Sequence, residues 1–169
     1  MGSVITVQFM KAENVRLSEI LRPACIQLSL QSATRDDAIG ELAHLIPELA
    51  DKPSERDLLI SAVLDRERLH TTGVGDGVAL PHARNVLPGI LKTPIVIFGR
   101  HNSGLAFNSI DGRAVKLIFL IAAPDLSQHL TVLARISRLL RDTALRQKLL
   151  SATKPDEVLN IFRTAESAN

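Results

Sequence analysis

The residues best suited to chemistry lie in one short segment that ends in a histidine. Residues 72–82 read TGVGDGVALPH, so three glycines at alternate positions are followed by an apolar run, a proline and His82. Glycine has no Cβ, which lets a phosphate or another backbone come close. Proline fixes its own φ and stiffens the step into the histidine. A histidine presented in this way can act as a nucleophile, an acid–base group or a metal ligand.

The glycine spacing of this loop matches neither of the common nucleotide-binding loops. A P-loop ends in Gly-Lys-Ser/Thr, which is absent here. A dinucleotide fingerprint has the spacing G-x-G-x-x-G between a strand and a helix, whereas this loop has G-x-G-x-G after a charged, helix-like stretch at residues 64–69. We therefore expect no nucleotide and no other cofactor. The residues expected to support His82 are Thr72, Gly73, Gly75, Gly77 and Pro81.

Two further residues are candidates for the same site. His129 begins a predicted helix and shares a face with Ile136, so it borders a buried stripe and can face the sheet edge that carries His82. Arg66 lies on the apolar side of its predicted helix, where a planar guanidinium is suited to clamp a phosphoryl group. A salt bridge with Asp65 or Glu67 is the alternative, and Arg66 taken alone favours it.

The other three histidines favour ordinary surface or core roles. His44 lies in a helical pattern, His70 ends a helix and His101 stands in a predicted turn at residues 101–104. The sequence also lacks the dense ligand spacing of a metal site, such as H-E-x-x-H or cysteine pairs. We therefore predict no metal, although a metallohydrolase that uses His82, His129 and His101 stays open as an alternative.

Composition places the chain among ordinary globular proteins. Its 169 residues are enough for one domain with a core, and 46% are apolar and 22% charged. Basic and acidic residues number 20 and 18, and Trp and Tyr are absent, so nucleic-acid binding is not indicated. The single cysteine, Cys25, is expected to be a buried small apolar residue. No membrane span or secretion signal is recognisable, which makes the cytoplasm the expected location.

The hydrophobic pattern predicts an α/β domain with a mixed central sheet and helices on both faces. Apolar runs at 94–98 and 115–123 are typical of strands covered on both sides. A short strand is expected at 78–80, and another at 26–30, where apolar residues alternate. The domain is predicted to span residues 16–165, after a partly ordered leader at 1–15 in which Val4–Val7 can form a strand.

The remaining segments have helical spacing. Thr34 or Asp36 is expected to cap one helix, and Ser54 is expected to cap a second that runs to about Leu69. Three helices follow residue 126, and the first is predicted to bury a stripe of leucines. The predicted stripe contains Leu126, Leu130 and Leu133.

Five segments together resemble the fructose/mannitol-type IIA domains of the bacterial phosphotransferase system, and among these most closely the nitrogen-regulatory IIA proteins. The resemblance covers roughly residues 16–165. Its segments are Asp65-Arg66-Glu67, the loop at 72–82, AFNSIDG at 106–112, the apolar strand that ends at Ala123-Pro124, and His129-Leu130-x-x-Leu133-Ala134.

The resemblance implies a role for each candidate residue. His82 corresponds to the histidine that accepts a phosphoryl group on Nε2, His129 to the second histidine beside it, and Arg66 to the arginine that binds the phosphate. The implied activity is that of a phosphotransferase that works through phosphohistidine and needs partner proteins. The chain departs from the family pattern at Ala83, where glycine is usual, and at Asn108, where aspartate is frequent.

The resemblance also implies the partners. The donor would be a histidine-phosphorylated carrier, either HPr-like or its nitrogen-branch paralogue, and the acceptors would be a IIB domain or regulatory target proteins. No nucleic acid and no membrane insertion are expected. Because the chain ends soon after its last predicted helix, we expect a separate regulatory protein. A sugar-specific IIA component that serves a separate IIB domain is the alternative, and phosphorylation-dependent binding of other proteins is compatible with both.

Overall fold

The computed structural model describes residues 15–168, so the predicted strand at Val4–Val7 lies outside the described residues. Five strands form one mixed sheet. They are β1 (Ile26–Gln27), β2 (Gly73–Gly75), β3 (Val78–Ala79), β4 (Ile95–Leu105) and β5 (Val115–Ala122). The helices are α1 (Leu17–Ile20), α2 (Arg35–Ala43), α3 (Pro53–Leu69), α4 (Leu126–Leu139), α5 (Thr143–Ser151) and α6 (Pro155–Ser167).

The sheet has the strand order β1-β4-β5-β3-β2. β4 and β5 pair antiparallel at its centre, β1 runs parallel to β4, and β3 runs parallel to β5. β2 pairs antiparallel with β3 and forms one edge. Beyond β3, His82 makes a parallel bridge with Ile121 of β5, so the segment after the glycine loop continues along the sheet. The expected mixed sheet is confirmed.

Two apolar cores cover the two faces of the sheet. Alternate residues of β4 and β5 point to opposite sides, as the two-residue period of a strand requires. Phe98 and Phe119 pack with α1, α4, α5 and α6 on one face. Ile97 and Ile118 pack with α2 and α3 on the other. This double burial explains why the two central strands are continuous apolar runs in the sequence.

The side chain of Arg100 connects the sheet to the C-terminal end of α5. Arg100 of β4 donates through Nη1 to the carbonyls of Leu149, Leu150 and Ala152, at 3.1, 3.0 and 2.7 Å. Its Nε donates to the carbonyl of Leu28 at 3.1 Å. The last carbonyls of a helix have no partner within the helix, so a cation is well placed there.

Several local predictions are corrected by the structure. Ser54 does not cap α3, because Pro53 takes the first helical position and Lys52 precedes it; a proline suits that position since it has no N–H. Thr34, not Asp36, caps α2, and its hydroxyl accepts from the Asp37 N–H at 3.1 Å. The predicted alternating strand at 26–30 is formed only at Ile26–Gln27.

The predicted turn at residues 101–104 is wrong, because these residues belong to β4. The pairing with β5 is irregular between Arg100 and Leu105, which lets exposed polar residues extend the strand. A strand is recognised in a sequence mainly by apolar residues that become buried, and residues 100–104 of β4 are not buried. β2 was also absent from the predicted strands, because glycine has low strand propensity.

The predicted leucine stripe of α4 is wrong at two of its three positions. Leu126 and Leu130 are 57% and 54% exposed, and Leu133 is partly buried. The buried face contains His129, Val132, Ile136 and Leu139 instead. The prediction took the leucines as the buried residues of the helix, whereas Leu126 and Leu130 lie outside its buried face.

Candidate functional site

The glycine loop is a tight hairpin that joins β2 to β3. Gly75, Asp76 and Gly77 have φ values of +99°, +54° and +76°, in the left-handed region that glycine adopts most easily. Gly73 has a different role, because a Cβ at this position would lie 2.3 Å from Oγ of Ser109. The glycines therefore make the turn and admit the backbone of a neighbouring segment.

His82 is held by its own loop in one ring orientation. Its Nδ1 lies 2.7 Å from the carbonyl oxygen of Leu80. Because a carbonyl only accepts, Nδ1 carries the hydrogen and donates it. In the neutral ring Nε2 then has no hydrogen, and its lone pair is the nucleophilic position. The ring is partly buried at the end of the β3 path.

His129 lies beside His82. It is 7% exposed and occupies the first turn of α4. Asp125 caps that turn by accepting from the Gln128 N–H at 2.8 Å, which fixes the start of the helix against the sheet. The centroids of the two rings are 5.1 Å apart, and their planes are inclined by 52°. The structure thus brings together two histidines that are separated in the sequence by β4 and β5.

Arg66 lies in the last turn of α3 and is partly buried. Its Nη1 donates to the carbonyl of His70 at 2.6 Å. The predicted alternative of a salt bridge is not found, since Asp65 pairs with Arg68 at 2.9 Å and Glu67 accepts from Thr72. Within residues 15–168 no ion pair includes Arg66, so its remaining donors are available to an anion.

The surroundings of both imidazoles favour the neutral form, because they lower the pKa of each ring. Burial lowers the pKa of His82 below its usual value, and the positive charge of Arg66 lowers it further. The hydrogen bond to Leu80 and the negative charge of Glu67 act in the opposite direction. Burial, followed by the neighbouring His82, lowers the pKa of His129. A ring in the neutral form does not repel an anion, and the positive charge of Arg66 attracts one.

The two departures from the expected family pattern have local explanations. Asn108 has a φ of +52°, a left-handed conformation that asparagine and aspartate both tolerate. The backbone therefore accepts either residue. Ala83, directly after His82, lines a mostly apolar cavity together with Leu59, Leu87, Ala122 and His129. Ala83 and His129 thus lie on the wall of the same cavity.

The other histidines stand apart from this arrangement. His101 uses both ring nitrogens, because Nε2 donates to the Ser32 carbonyl at 3.0 Å and Nδ1 accepts from the Gly104 N–H at 2.9 Å. It is therefore not a free third ligand for His82 and His129. His44 and His70 are exposed. In the described part of the chain, no three His, Cys, Asp or Glu side chains are grouped to hold a metal ion.

Glu67 was not among the predicted site residues, although it is hydrogen-bonded to the loop that carries His82. Glu67 is 2% exposed, and it accepts from both the N–H and the hydroxyl of Thr72. Its position was a readable signal, because it follows Leu59 and Val63 at four-residue steps on the buried face of α3. A carboxylate on such a face needs buried donors, which points to the loop.

The mixed sheet with helices on both faces is the fold of a class of phosphotransferase domains. The profile of the family "Phosphoenolpyruvate-dependent sugar phosphotransferase system, EIIA 2" matches residues 19–165. The chain belongs to this family, whose IIA domains are phosphotransferases that work through phosphohistidine and interact with phosphocarrier proteins and IIB domains.

Curated relatives include both regulatory and sugar-specific proteins. A nitrogen regulatory protein from Bradyrhizobium diazoefficiens is 35% identical over 148 residues, which cover 86% of this chain and 94% of the relative. A fructose-specific EIIA component from Haloferax volcanii is 34% identical over 148 residues, with the same coverage. A fructose-specific EIIABC component from Bacillus subtilis is 32% identical over 150 residues, which are 88% of this chain but only 23% of that longer relative.

Solved structures of the same type share the fold. The nitrogen regulatory protein IIA-Ntr from Neisseria meningitidis has a TM-score of 0.75 at 28% identity, with 86% of this chain and 97% of that chain covered. IIA mannitol from Escherichia coli has a TM-score of 0.69 at 26% identity, with 82% and 96% covered. Among the described helices, none is long and apolar enough to cross a membrane.

The neutral state of the two histidines predicts a pH dependence of stability. Unfolded histidine has a pKa of about 6.5, and the folded pKa values of His82 and His129 lie lower. Below pH ~6.5 the unfolded state therefore binds more protons, and the free energy of unfolding falls as the pH falls. Above that pH both states are neutral and this contribution stays constant. Urea unfolding at a series of pH values, compared between the parent and His82→Gln/His129→Gln, measures it.

The double variant is expected to have a flatter profile between pH ~7.5 and ~5. His44→Gln, at an exposed position, is the control and should keep the parent profile. A parent profile that is equally flat would contradict the assignment of neutral rings.

Proposed function

We propose that this chain is a phosphoryl carrier of the bacterial phosphotransferase system. It accepts phosphate from a histidine-phosphorylated carrier onto Nε2 of His82 and acts mainly as a regulatory, nitrogen-type IIA protein in the cytoplasm. The proposed domain is residues 16–165, after a leader at 1–15. The observation that carries the proposal is the bond from Nδ1 of His82 to the Leu80 carbonyl, which leaves Nε2 free beside His129.

The transfer step follows from this tautomer. The Nε2 lone pair of His82 attacks the phosphorus atom in line, and the bond from phosphorus to the donor's ring nitrogen breaks. The electron pair of that bond returns to the donor ring. His82 releases no proton, because the attacking nitrogen carries none. Nδ1 keeps its hydrogen, which stays hydrogen-bonded to the Leu80 carbonyl. The positive charge that the ring gains is stabilised by this carbonyl.

Electrostatic positioning supplies the rest of the catalysis. Phosphoryl transfer passes through a loose transition state whose charge lies on the equatorial oxygens. Arg66 provides the free guanidinium for these oxygens, and the His129 ring provides a nitrogen that can donate to one of them. His129, Arg66 and His82 are thus the proposed catalytic residues, and the hairpin of Thr72, Gly73, Gly75, Gly77 and Pro81 supports them. This step requires neither metal nor cofactor.

The exposed leucines of α4 support a docking role for this face. Leu126 and Leu130 flank His129 on the helix, and each exposes more than half of its surface. A donor histidine reaches Nε2 only if a partner covers the site, and the removal of apolar surface from water favours that contact. The proposed partners are an HPr-like carrier or its nitrogen-branch paralogue, and on the output side regulatory target proteins or a IIB domain.

A sugar-specific IIA component is the second candidate function. The fructose-specific relative from Haloferax volcanii, which this chain covers to 94%, favours it. The regulatory relative from Bradyrhizobium diazoefficiens has the same coverage and slightly higher identity. Transfer of label from the phosphorylated chain to separate IIB domains distinguishes the two, because a sugar-specific component passes its phosphate on rapidly.

The identity of the acceptor is tested by labelling. Incubation with the phosphorylated carriers of the organism, tried side by side, is expected to label the parent on a histidine nitrogen of His82. His82→Ala should take no label, whereas His44→Ala, at an exposed position, should be labelled as the parent is. Peptide mapping by mass spectrometry locates the phosphate. Full labelling of His82→Ala would refute the assignment.

Arg66 is tested through the rate of transfer. Arg66→Ala is expected to slow labelling by about 100-fold or more, because the loss of one stabilising donor costs roughly 2.7–4 kcal/mol in other enzymes. Arg68→Ala is the matched control, since Arg68 lies on the same turn, is exposed and pairs with Asp65. Rapid-quench kinetics provide the measurement. Equal rates for the two variants would remove Arg66 from the site.

The docking face is tested with two kinds of donor. Leu126→Glu/Leu130→Glu should slow transfer from the protein carrier at least ~10-fold, because it places charge in an apolar contact. Phosphorylation by the small donor phosphoramidate needs no docking and should proceed at the parent rate. A variant that loses both reactions equally would indicate damage to the site itself and would contradict the docking role.

A further inference from the structure

A buried carboxylate links the helix of Arg66 to the loop of His82. Glu67 is 2% exposed in the last turn of α3. Its Oε1 accepts from the Thr72 N–H at 2.9 Å, and its Oε2 accepts from the Thr72 hydroxyl at 2.5 Å. The hydroxyl of Thr71 lies 3.4 Å from Oε1 but donates its hydrogen to the Phe107 carbonyl at 2.6 Å. The two Thr72 donors therefore satisfy the buried carboxylate, which within residues 15–168 has no cation within ion-pair distance.

The hydrogen bonds continue from Glu67 to the nucleophile. The Thr72 carbonyl accepts from the Leu80 N–H at 3.0 Å. The Leu80 carbonyl accepts in turn from Nδ1–H of His82 at 2.7 Å. A path of three hydrogen bonds therefore runs from the Glu67 carboxylate to the imidazole, through the backbones of two residues. Because Arg66 is the preceding residue on α3, the same turn fixes the phosphate-binding cation.

We propose that Glu67 is a positioning residue of the phosphotransfer site. Glu67 holds His82 at a fixed position relative to Arg66, and its negative charge repels the phosphoryl group bound to His82. The proposal rests on the proposed function of His82 as phosphoryl acceptor. It assigns Glu67 two separable effects. One is geometric and acts through Thr72 and Leu80, and the other is electrostatic and acts directly on the group carried by His82.

The electrostatic effect has a defined sign. Arg66 and Glu67 already act oppositely on the free ring, since Arg66 lowers the pKa of His82 and Glu67 raises it. A phosphoryl group on Nε2 brings negative charge, which Arg66 attracts and Glu67 repels. In the unphosphorylated protein, burial lowers the pKa of His129. Glu67 thus keeps the phosphohistidine less stable than it would otherwise be, which favours onward transfer.

The decisive variant is Glu67→Gln. Its amide oxygen can still accept from the Thr72 N–H, and its NH2 can donate to the Thr72 hydroxyl, so the link is kept while the charge is lost. Asp65→Asn is the matched control, because it removes an equal charge from the same turn at an exposed side chain paired with Arg68. Both are compared with the parent by thermal unfolding before any other measurement.

The first measurement uses the unphosphorylated proteins. Nitrogen-15 NMR of the imidazole should show the Nδ1–H tautomer of His82 in the parent, in Glu67→Gln and in Asp65→Asn. The titration midpoint of His82 should fall in Glu67→Gln and should stay at the parent value in Asp65→Asn. Equal midpoints in all three would overturn the electrostatic effect.

The second measurement is the phosphoryl equilibrium with the carrier protein. Glu67→Gln should shift it toward phospho-His82 by about tenfold, the size expected for one nearby charge in a partly buried site. Arg66→Ala should shift it in the opposite direction, and Asp65→Asn should leave it unchanged. A shift in Glu67→Gln toward the phosphorylated carrier would contradict the proposal.

The geometric effect is tested with Glu67→Asp, which keeps the charge but is too short to hold both Thr72 donors. It should slow transfer about tenfold or more through misplacement of the ring while the equilibrium stays near the parent value. If Glu67→Asp transfers phosphate as fast as the parent, the positioning role is overturned. This test holds even if Glu67→Gln fails to fold. If the parent itself takes no label on His82, the proposed function fails, and the NMR comparison still decides whether Glu67 acts on His82.

Discussion

The hydrogen bond from Nδ1 of His82 to the Leu80 carbonyl is the contact on which the site depends. It is made within three residues, so the ring orientation is built into the loop and does not wait for a partner. It decides which nitrogen has the lone pair, and it removes the need for a general base. The structure around it serves to place this short segment: β5 holds His82 through the bridge to Ile121, and the hairpin turn returns the chain to that position.

The surroundings of the ring combine burial with a cation, Arg66, that forms no ion pair within residues 15–168. Burial lowers the pKa of both imidazoles, so each ring takes up a proton less readily than a free histidine does. Arg66 is held by a single backbone carbonyl and remains able to bind an anion. Under the proposed function, phosphorylation of His82 would add negative charge to this site and would change the surface that a partner protein meets there.

Much of this arrangement could be predicted from the sequence, for different reasons in different places. The central strands were predicted because Ile95–Phe98 and Leu117–Ala122 are buried on both faces and leave a continuous apolar signal. The resemblance to the family led us to expect that His82, His129 and Arg66 lie close together. The order of residues along the chain does not by itself show which distant elements meet. The neutral tautomer of His82 required the position of one carbonyl, which no sequence pattern encodes.

The incorrect predictions also have physical causes. Leu126 and Leu130 were predicted to be buried because leucine usually is, whereas this face is left open beside His129. The end of β4 was missed because its residues are polar and paired only irregularly. Glu67 was considered only as a partner for Arg66, although its place on the buried face of α3 required donors from elsewhere in the fold.

The four carbonyl contacts of Arg100 have a consequence for the accuracy of the site. His82 belongs to the sheet and His129 to the helical layer, so their spacing is only as constant as the seating of one layer on the other. Apolar side chains alone permit small sliding movements between layers, but a guanidinium that spans Leu28, Leu149, Leu150 and Ala152 resists them. Arg100 thus acts as a fixed reference point between the two layers, in the middle of β4 and four residues from Val96, which pairs with Ile121.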